Sequence, residues 1–578
     1  MSEILKNKVI QTLEEMALRA EILELNPFKI RAFIKAVRII AEFEGDIKVA
    51  MKDGSLAKLS GIGAGTLAII KHVLNDEPVP ELENFRALVP SGVLDLTRIS
   101  GLGPKRARML WLELDIKNLG ELEYAIKENR LQNIKGMGPK MQQSIAQALV
   151  EARKKLGHFR LDQLLYAAQL LKEIALGIDP HSKIETVGEC SRACESSKHL
   201  EMLWLTKLDR ESVKKMFKAQ NIYLNFIEDR CEFVFLDIAC HIYLSQNSAS
   251  FGAETIWLSG DENFRKKIAH YADSVNFSFT QAGLYQEKKL IATPLENDVF
   301  DVLGIYPITR ERRDGTAVFT KKGKSLPKLI ELKDLLGAFH NHTTASDGIN
   351  TLEEMRAQAI ELGLSYLSIN DHSQSAAYAH GLEPQRLKEQ LKKIEVLNQD
   401  EQGKKCWLLS GTECDILADG SLDFPDSLLN QLDVVIASIH NRLRQDRETI
   451  TARMLNAIKN PLTTMIGHPT GRLILDRPPS NFDMKLMLST AKEYGTILEL
   501  NANPHRLDLK YEHLMLAKEM GLMTAINPDA HSINGIKDIE YGVLIARKAG
   551  LEPKDVLNCY SINDIKTWLK NKKENNLS

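Results

Sequence analysis

The chain has 578 residues, of which 44% are hydrophobic and 26% charged, and this balance excludes a disordered or fibrous protein. No apolar run reaches the ~18 residues of a membrane span. The formal net charge of −2 excludes a strong overall attraction to polyanions, so any contact with nucleic acid must be local. A single core rarely grows past about 250–300 residues, so we predict several domains.

Residues 1–157 have helical periodicity and carry one pattern three times. It reads LSGIGAG at 59–65, ISGLGPK at 99–105 and IKGMGPK at 134–140. Glycine permits the positive φ of a tight turn between two helices, and the free amides that open the second helix attract phosphate. One such pattern is equally typical of a glycine that ends a helix, but three of them favour helix-hairpin-helix motifs that bind DNA without reading its sequence.

Local charge supports this interpretation, since residues 101–156 contain 11 Lys and Arg against 6 Asp and Glu. The predicted DNA-contacting residues are Gly61, Gly63, Gly101, Gly103, Lys105, Arg106, Arg108, Gly136, Gly138 and Lys140.

The segment NPFKIRAFIKAVRII at 26–40, followed by the first hairpin, resembles family X DNA polymerases. The resemblance implies a palm in which two aspartates separated by one residue, and a third on a neighbouring strand, hold two magnesium ions. Here the segment VGECSRACESSKHLEMLWL at 187–205 places His199 and Glu201 at the first two positions, and Ile242 falls at the third. Two-metal phosphoryl transfer requires hard carboxylate ligands. We therefore expect a palm without Mg²⁺ and without polymerase activity, although residual activity through Glu201 stays open. The segment FGAETIWLSGDENF from residue 251 resembles the thumb of the same family.

The C-terminal part alternates strands with amphipathic helices, which predicts parallel strands. The predicted strands cover residues 335–342, 364–372, 406–416, 433–440, 463–469, 496–503 and 522–531. Seven such units suggest a barrel with its chemistry at the C-terminal strand ends.

Histidines concentrate at those ends, since nine of the 15 lie between residues 340 and 531. His340 and His342 stand two apart on one strand and therefore point to the same side. Buried polar groups in such number would each need a partner, and metal ions satisfy them together. Mixed imidazole and carboxylate ligands suit Zn²⁺, Mn²⁺ or Fe²⁺ better than Ca²⁺ or Mg²⁺.

This part resembles the PHP (polymerase and histidinol phosphatase) domain over residues 335–578. The resemblance implies nine metal ligands: His340, His342, Asp347, His372, Glu413, His440, His468, Asp529 and His531. By resemblance, one ion is held by His340, His342, Glu413 and Asp529, a second by Glu413, His440 and His468, and a third by Asp347, His372 and His531.

The same resemblance implies hydrolysis of phosphate esters by activated water, with Glu413, Asp529 and His342 as catalytic residues. Ala338 stands where the family usually has an aspartate, so we expect the ligands behind it to be held less firmly. Arg472 of GHPTGR is a candidate phosphate ligand, although an ordinary surface arginine is a comparable interpretation.

The order of these parts resembles the bacterial PolX family along the whole chain. We therefore predict an α-helical part (1–82 and 83–157, with three helix-hairpin-helices), an α+β polymerase X-like palm (158–250) and thumb (251–318), a linker (319–334) and a PHP (βα)7 barrel (335–578).

The predicted function is metal-dependent 3′–5′ exonuclease or phosphoesterase activity on gapped or nicked DNA during repair, with three Mn²⁺ or Zn²⁺ ions. We expect a monomer in the cytoplasm, associated with the nucleoid by its function. Two alternatives are an active gap-filling family X polymerase with exonuclease activity, and a small-molecule phosphatase of the histidinol-phosphatase type.

Overall fold

The computed structural model of the protein describes residues 2–127, 131, 134, 136–155, 157–443, 445–475 and 477–577. The chain forms two compact units, residues 1–156 and residues 157–578. Within the described ranges, no helix is both long enough and apolar enough to span a bilayer.

The first unit is entirely helical. Its helices are α1 (Ser2–Ile22), α2 (Pro27–Glu42), α3 (Ile47–Lys52), α4 (Ala64–Leu74), α5 (Pro80–Leu88), α6 (Ser91–Thr97), α7 (Pro104–Leu114), α8 (Leu119–Lys127) and α9 (Pro139–Lys155). Local sequence signals mark the start of α2. The side chain of Asn26 accepts a hydrogen bond from the backbone N–H of Phe28, and Pro27 occupies the first turn. One apolar core lies around Leu13, and a second lies around Leu102.

The second unit begins with a five-stranded palm sheet in the order β2-β4-β7-β6-β5. Its strands and helices are β1 (Phe159–Arg160), α10 (Leu161–Ile178), β2 (Lys183–Val187), α11 (Gly188–Ser191), β3 (Ser196–Ser197), β4 (His199–Leu205), α12 (Arg210–Lys218), β5 (Asn225–Ile227), β6 (Arg230–Phe235) and β7 (Ile238–Ser245). Strands β4 and β7 are parallel, with Glu201 opposite His241.

A thumb-like region follows. It contains α13 (Phe251–Ser259), α14 (Glu262–Ser274), β8 (Ser278–Thr280), β9 (Gly283–Gln286), β10 (Lys289–Ile291) and α15 (Glu296–Val302). Its three strands form an antiparallel sheet in the order β10-β9-β8. Ile256, Phe264 and Phe300 lie in its core.

The remaining strands form one parallel sheet in strict chain order, as predicted. They are β11 (Gly337–Ala338), β12 (Tyr366–Ile369), β13 (Trp407–Asp415), β14 (Val434–Ser438), β15 (Met465–Ile466), β16 (Ile497–Asn501) and β17 (Thr524–Asn527). The surrounding helices are α16 (Leu352–Glu361), α17 (Pro384–Asn398), α18 (Asp426–Leu429), α19 (Arg447–Lys459), α20 (Met484–Tyr494), α21 (Tyr511–Glu519), α22 (Ile539–Lys548) and α23 (Ile562–Leu577).

The first and last strands of this sheet approach each other just beyond their ends. Asn341 and Ala530 form a parallel bridge, and the amide of His342 donates to the carbonyl of Ala530 at 2.8 Å. The predicted (βα)7 barrel is thus confirmed as a nearly closed seven-stranded barrel. This closure carries the histidines that follow β11 to the acidic residues that follow β17.

The palm and thumb contact the barrel through charged side chains. Arg472 of the barrel pairs with Glu195, which lies just before β3 of the palm. Lys548 donates to the carbonyl of Arg192 at 2.7 Å. Arg547 on α22 pairs with Glu311 at 2.8 Å.

Candidate metal centre, DNA-binding hairpins and the altered palm

All nine predicted metal ligands lie at the C-terminal end of the barrel, where the strand order brings them together. Nε2 of His340 lies 3.3 Å from Glu413 Oε1 and 3.4 Å from Asp529 Oδ1. Nε2 of His342 lies 3.3 Å from the same oxygen of Asp529. The four side chains proposed to hold the first ion therefore lie close together.

The other two sets converge in the same way. Nε2 of His440 lies 3.2 Å from Glu413 Oε1, and Nε2 of His468 lies 2.9 Å from it, so the first and second sets share Glu413. Asp347 lies 3.5 Å from His372 Nε2 and 3.4 Å from His531 Nε2. His342 also has a ring nitrogen within 4.8 Å of this third set.

Without metal, burial and neighbouring charges shift the pKa values of His340 and His342 in opposite directions. Burial alone would lower the pKa of His340, but the neighbouring carboxylates, led by Glu499, outweigh it and raise the pKa well above its usual value. Burial lowers the pKa of His342 to about 3, and the positive charges of other histidines add to this effect. For Glu413, burial would raise the pKa, but the surrounding imidazoles hold it well below its usual value.

Several of these atoms lack the partners that buried polar groups require. Among the described residues, Nε2 of His340, Nε2 of His342 and Oε2 of Glu413 are buried and accept or donate no hydrogen bond. Three ligands, His340, His468 and Asp529, also have φ of 60°, 27° and 53°, a backbone region that non-glycine residues rarely adopt and that clusters at functional sites. A buried cluster of imidazoles and carboxylates with unpaired nitrogen and oxygen atoms fits the coordination of divalent metal ions.

A second layer of carboxylates orients the ligands. Oε1 of Glu499 lies 2.7 Å from Nδ1 of His340, and Oδ1 of Asp415 lies 3.0 Å from Nδ1 of His440. Such contacts fix which ring nitrogen faces a metal. The expected loosening from Ala338 is therefore offset at His340, because Glu499 on β16 supplies the carboxylate. Sequence reasoning missed Asp415, whose position two residues after Glu413 on one strand was the available signal.

The structure corrects the prediction for Arg472. Its side chain is buried, and its two terminal nitrogens donate to the carboxylate of Glu195 at 2.6 and 2.8 Å. With both terminal nitrogens engaged in this way, Arg472 braces the loop after His468 and does not offer them to a phosphate. One arginine that does lie beside the proposed metal ligands is Arg506, whose Nε lies 3.4 Å from Asp529 Oδ2. Sequence reasoning missed it, although it follows β16 in the segment NANPHRLD.

The three glycine patterns form similar turns in the first unit. Gly61, Gly101 and Gly136 have φ of 116°, 91° and 84°, which requires glycine. Gly103 needs no such freedom, since its φ is −71°, and it opens α7 as the N-cap residue.

The second glycine of the later hairpins faces open space. A Cβ at Gly103 or Gly138 would meet no described atom within 4 Å. Internal packing therefore does not require glycine at these positions. The close approach of a phosphate to the helix amides would require it. Lys105 and Lys140 are exposed beside these turns. Arg106 donates to the carbonyl of Gly101 at 2.8 Å, which braces the second hairpin itself.

Arg108 does not face the same side as the other predicted contacts. It donates to the carbonyl of Ile22 at 2.9 Å and lies 3.6 Å from Glu24. Its positive charge is therefore used to hold α7 against α1, and we do not carry it forward as a DNA contact.

The palm corrects one further prediction. His199 and Glu201 share a face of β4, but the residue of β7 on that face is His241, directly opposite Glu201, and not Ile242. Ile242 points to the other face and is buried in the palm core. The predicted position of the third acid was therefore one residue too far along the chain. A shift of one residue along a strand moves the side chain to the opposite face of the sheet.

Comparisons with known proteins agree with this architecture. Residues 5–77 match the family profile "Helix-hairpin-helix domain", residues 93–151 match "SAM-like Helix-hairpin-helix tandem", and residues 255–314 match "DNA polymerase beta thumb". The Bacillus subtilis (strain 168) protein "DNA polymerase/3′-5′ exonuclease PolX" is 33% identical over 583 aligned positions, covering 98% of this chain and 99% of that protein.

Shorter relatives match a part of the chain about the size of the barrel. A probable phosphatase of Thermoanaerobacter sp. (strain X514) is 33% identical over 246 residues, covering 40% of this chain and 94% of the phosphatase. A probable phosphatase of Caldanaerobacter subterraneus subsp. tengcongensis is 30% identical over 247 residues, covering 41% of this chain and 91% of the phosphatase.

Proposed function

Because this chain belongs to the PolX family of DNA polymerase/3′-5′ exonucleases, we propose that it is a metal-dependent phosphoesterase that trims 3′ ends of DNA during repair, and that its palm no longer adds nucleotides. The observation that carries this proposal is the contrast between the two sites. The barrel brings all nine proposed ligands into groups that could hold metal ions. The palm has one carboxylate, Glu201, beside His199 and His241.

In the barrel, the protein's own groups prepare a site for a phosphodiester. Three divalent cations, Mn²⁺ or Zn²⁺, would supply a nucleophilic water near neutral pH and neutralise charge on the phosphoryl oxygens. Glu413 lies between two ligand sets and holds them in one cluster. Asp415 and Glu499 orient the imidazoles of His440 and His340. Arg506, with a side chain 19% exposed, would offer positive charge to a phosphate at the mouth of the site.

The helical unit supplies the second part of the proposal. Hairpins with open glycines and exposed lysines would hold the DNA backbone through phosphate contacts, without regard to sequence. Gapped or nicked DNA with a free 3′ end is the proposed substrate. A small phosphate ester would leave these hairpins without a role, which weighs against the phosphatase alternative.

In the palm, the one remaining carboxylate does not replace the three that two magnesium ions require. Oε1 of Glu201 accepts a hydrogen bond from the hydroxyl of Tyr243 at 3.2 Å. The neighbouring rings of His199 and His241 are stacked with their centroids 4.7 Å apart. Mg²⁺ prefers oxygen ligands in octahedral geometry, and two imidazoles do not provide them.

The deciding experiment compares Glu413→Ala with Glu201→Ala, a matched loss of one carboxylate from each site. Wild type and both variants are incubated with a gapped primer labelled at either end, in Mn²⁺, with and without the four deoxynucleotides. We expect wild type and Glu201→Ala to shorten the primer from its 3′ end at similar rates. Glu413→Ala should shorten the primer more than about 100-fold more slowly than wild type. Even the loss of a residue that only orients a metal ligand lowers activity or metal affinity by about 10–100-fold.

Other results would replace the proposal with a named alternative. Primer extension by wild type that Glu201→Ala abolishes would establish an active polymerase. The relationship to probable phosphatases motivates a parallel assay with p-nitrophenyl phosphate. If that ester is hydrolysed well while both labelled primers stay intact, the chain is a small-molecule phosphatase.

A further inference from the structure

The altered palm brings together a set of side chains that the phosphoesterase proposal does not use. His199, Glu201 and His241 each offer one nitrogen or oxygen atom, and these three atoms lie within 4.8 Å of one another. All three side chains are half-buried at the surface of the palm sheet. This cluster, which we name the palm triad, has two imidazoles and one carboxylate.

The backbone holds the palm triad in a fixed arrangement. His199 and Glu201 are alternate residues of β4, and His241 pairs with Glu201 on the parallel strand β7. Alternate and directly paired positions share one face of a sheet, so the three side chains stay on the same face while the strands remain paired.

The Glu201 carboxylate is also held from its other sides. The Tyr243 hydroxyl donates to one oxygen. The second oxygen packs on the backbone of Gly188, where an added Cβ would lie 2.0 Å from it. Because the carboxylate is positioned by these contacts, it loses little freedom when it takes a further ligand.

We propose that the palm triad binds a transition-metal ion of the Zn²⁺ class. Two histidines and one glutamate form a ligand set that zinc uses with a fourth position left to water. Zn–N and Zn–O bonds are about 2.0–2.2 Å long, so ligand atoms around one ion lie about 3.3 Å apart. Side-chain rotations that move each donor by about 1 Å would close the triad to that size.

The groups in and around the palm triad favour Zn²⁺ over Mg²⁺. A second carboxylate, Glu232 on β6, lies 3.7 Å from Nε2 of His241 and would lower the net charge at the site. Magnesium demands oxygen ligands in octahedral geometry and retains its water shell, so two imidazoles disfavour it. The site is therefore chemically different from a carboxylate site for two magnesium ions. It would hold one ion, independently of the barrel.

Carbethoxylation by diethylpyrocarbonate tests this proposal residue by residue, so the barrel ligands do not obscure the result. The full-length protein is treated with and without Zn²⁺, or with Mg²⁺, and the modification of each histidine is followed by peptide mass spectrometry. We expect Zn²⁺ to slow modification of His199 and His241 at least 5-fold and Mg²⁺ to have no effect. His181 and His270, which are exposed and outside the triad, are the internal controls.

The Glu201→Ala variant and a metal count complete the test. Glu201→Ala should remove the protection of the two histidines while barrel activity on DNA persists. The His199→Asn/His241→Asn variant should hold about one Zn²⁺ fewer than wild type by elemental analysis, whereas His181→Asn/His270→Asn should hold the same number as wild type. Equal modification rates with and without Zn²⁺, or an unchanged metal content in the double variant with an intact circular dichroism spectrum, would overturn the proposal.

Discussion

The ion pair between Glu195 and Arg472 offers the most direct test of how the altered palm contributes to the protein. Arg472 follows the proposed metal ligand His468 in the same loop, and its side chain is 4% exposed. Glu195 comes from the palm, and its side chain is 24% exposed. The pair therefore joins a loop of the metal centre to a domain that we propose has lost its own chemistry.

The cost of breaking this pair follows from its burial. Removing one partner of a fully buried ion pair destabilises a protein by about 3–5 kcal/mol, because the other charge stays buried without compensation. Glu195 retains some contact with water, so we expect Glu195→Ala to lower the free energy of unfolding by about 2–4 kcal/mol. Arg472→Met, which keeps much of the side-chain volume, should cost a similar amount. The double variant should cost less than the sum, with a coupling energy of about 1–3 kcal/mol.

Urea unfolding of the wild type, both single variants and the double variant, all in EDTA, measures these energies. Tryptophan fluorescence suits the purpose, because four of the five tryptophans lie in residues 157–578. Exonuclease activity per folded molecule is measured in parallel with saturating Mn²⁺. We expect both single variants to lose activity by similar factors, below about 10-fold, because each loosens the same loop.

Two results would refute this reasoning. A coupling energy near zero would mean that the pair is only a geometric contact. A loss of activity in Arg472→Met that is many times greater than in Glu195→Ala would mean that Arg472 acts on the substrate, as the sequence first indicated.

Three further predictions concern DNA and metal binding. Gly103→Ala/Gly138→Ala should fold normally, since the new methyl groups meet open space, but should bind DNA more weakly in a gel-shift titration. Lys105→Ala/Lys140→Ala should weaken binding to unrelated sequences by similar factors and reduce the salt slope by about 2, and a loss confined to one sequence would contradict phosphate contacts. Burial would lower the pKa of His440, but carboxylates led by Glu413 raise it to about 9, so metal-free protein at pH 7.5 holds a proton there that a metal must displace. Calorimetric Mn²⁺ titrations in two buffers of different ionisation enthalpy should show proton release at pH 7.5 and less at pH 9.5, and buffer-independent heats would contradict this.

The sequence alone determined the parts of this protein that depend on local pattern. Glycine-x-glycine turns, alternating strands and helices, and ligands placed at strand ends are set by short-range spacing, and the barrel confirms all seven predicted strands. The nine proposed ligands were named from the resemblance to the PHP domain. The concentration of histidines near strand ends supports that set, because parallel strands bring those ends to one side of the sheet.

Tertiary structure decided what depends on neighbours distant in the chain. The register of β7 against β4 placed His241, not Ile242, beside Glu201, because strand pairing and not spacing determines which face a residue occupies. Arg472 looked free in the sequence, and only packing between the palm and the barrel brought Glu195 to it across 277 residues. Glu499 became the support for His340 in the same way, since the barrel brings β16 close to the segment after β11. Ion pairs, hydrogen bonds to ligands and strand register are long-range contacts, and one sequence does not specify them by itself.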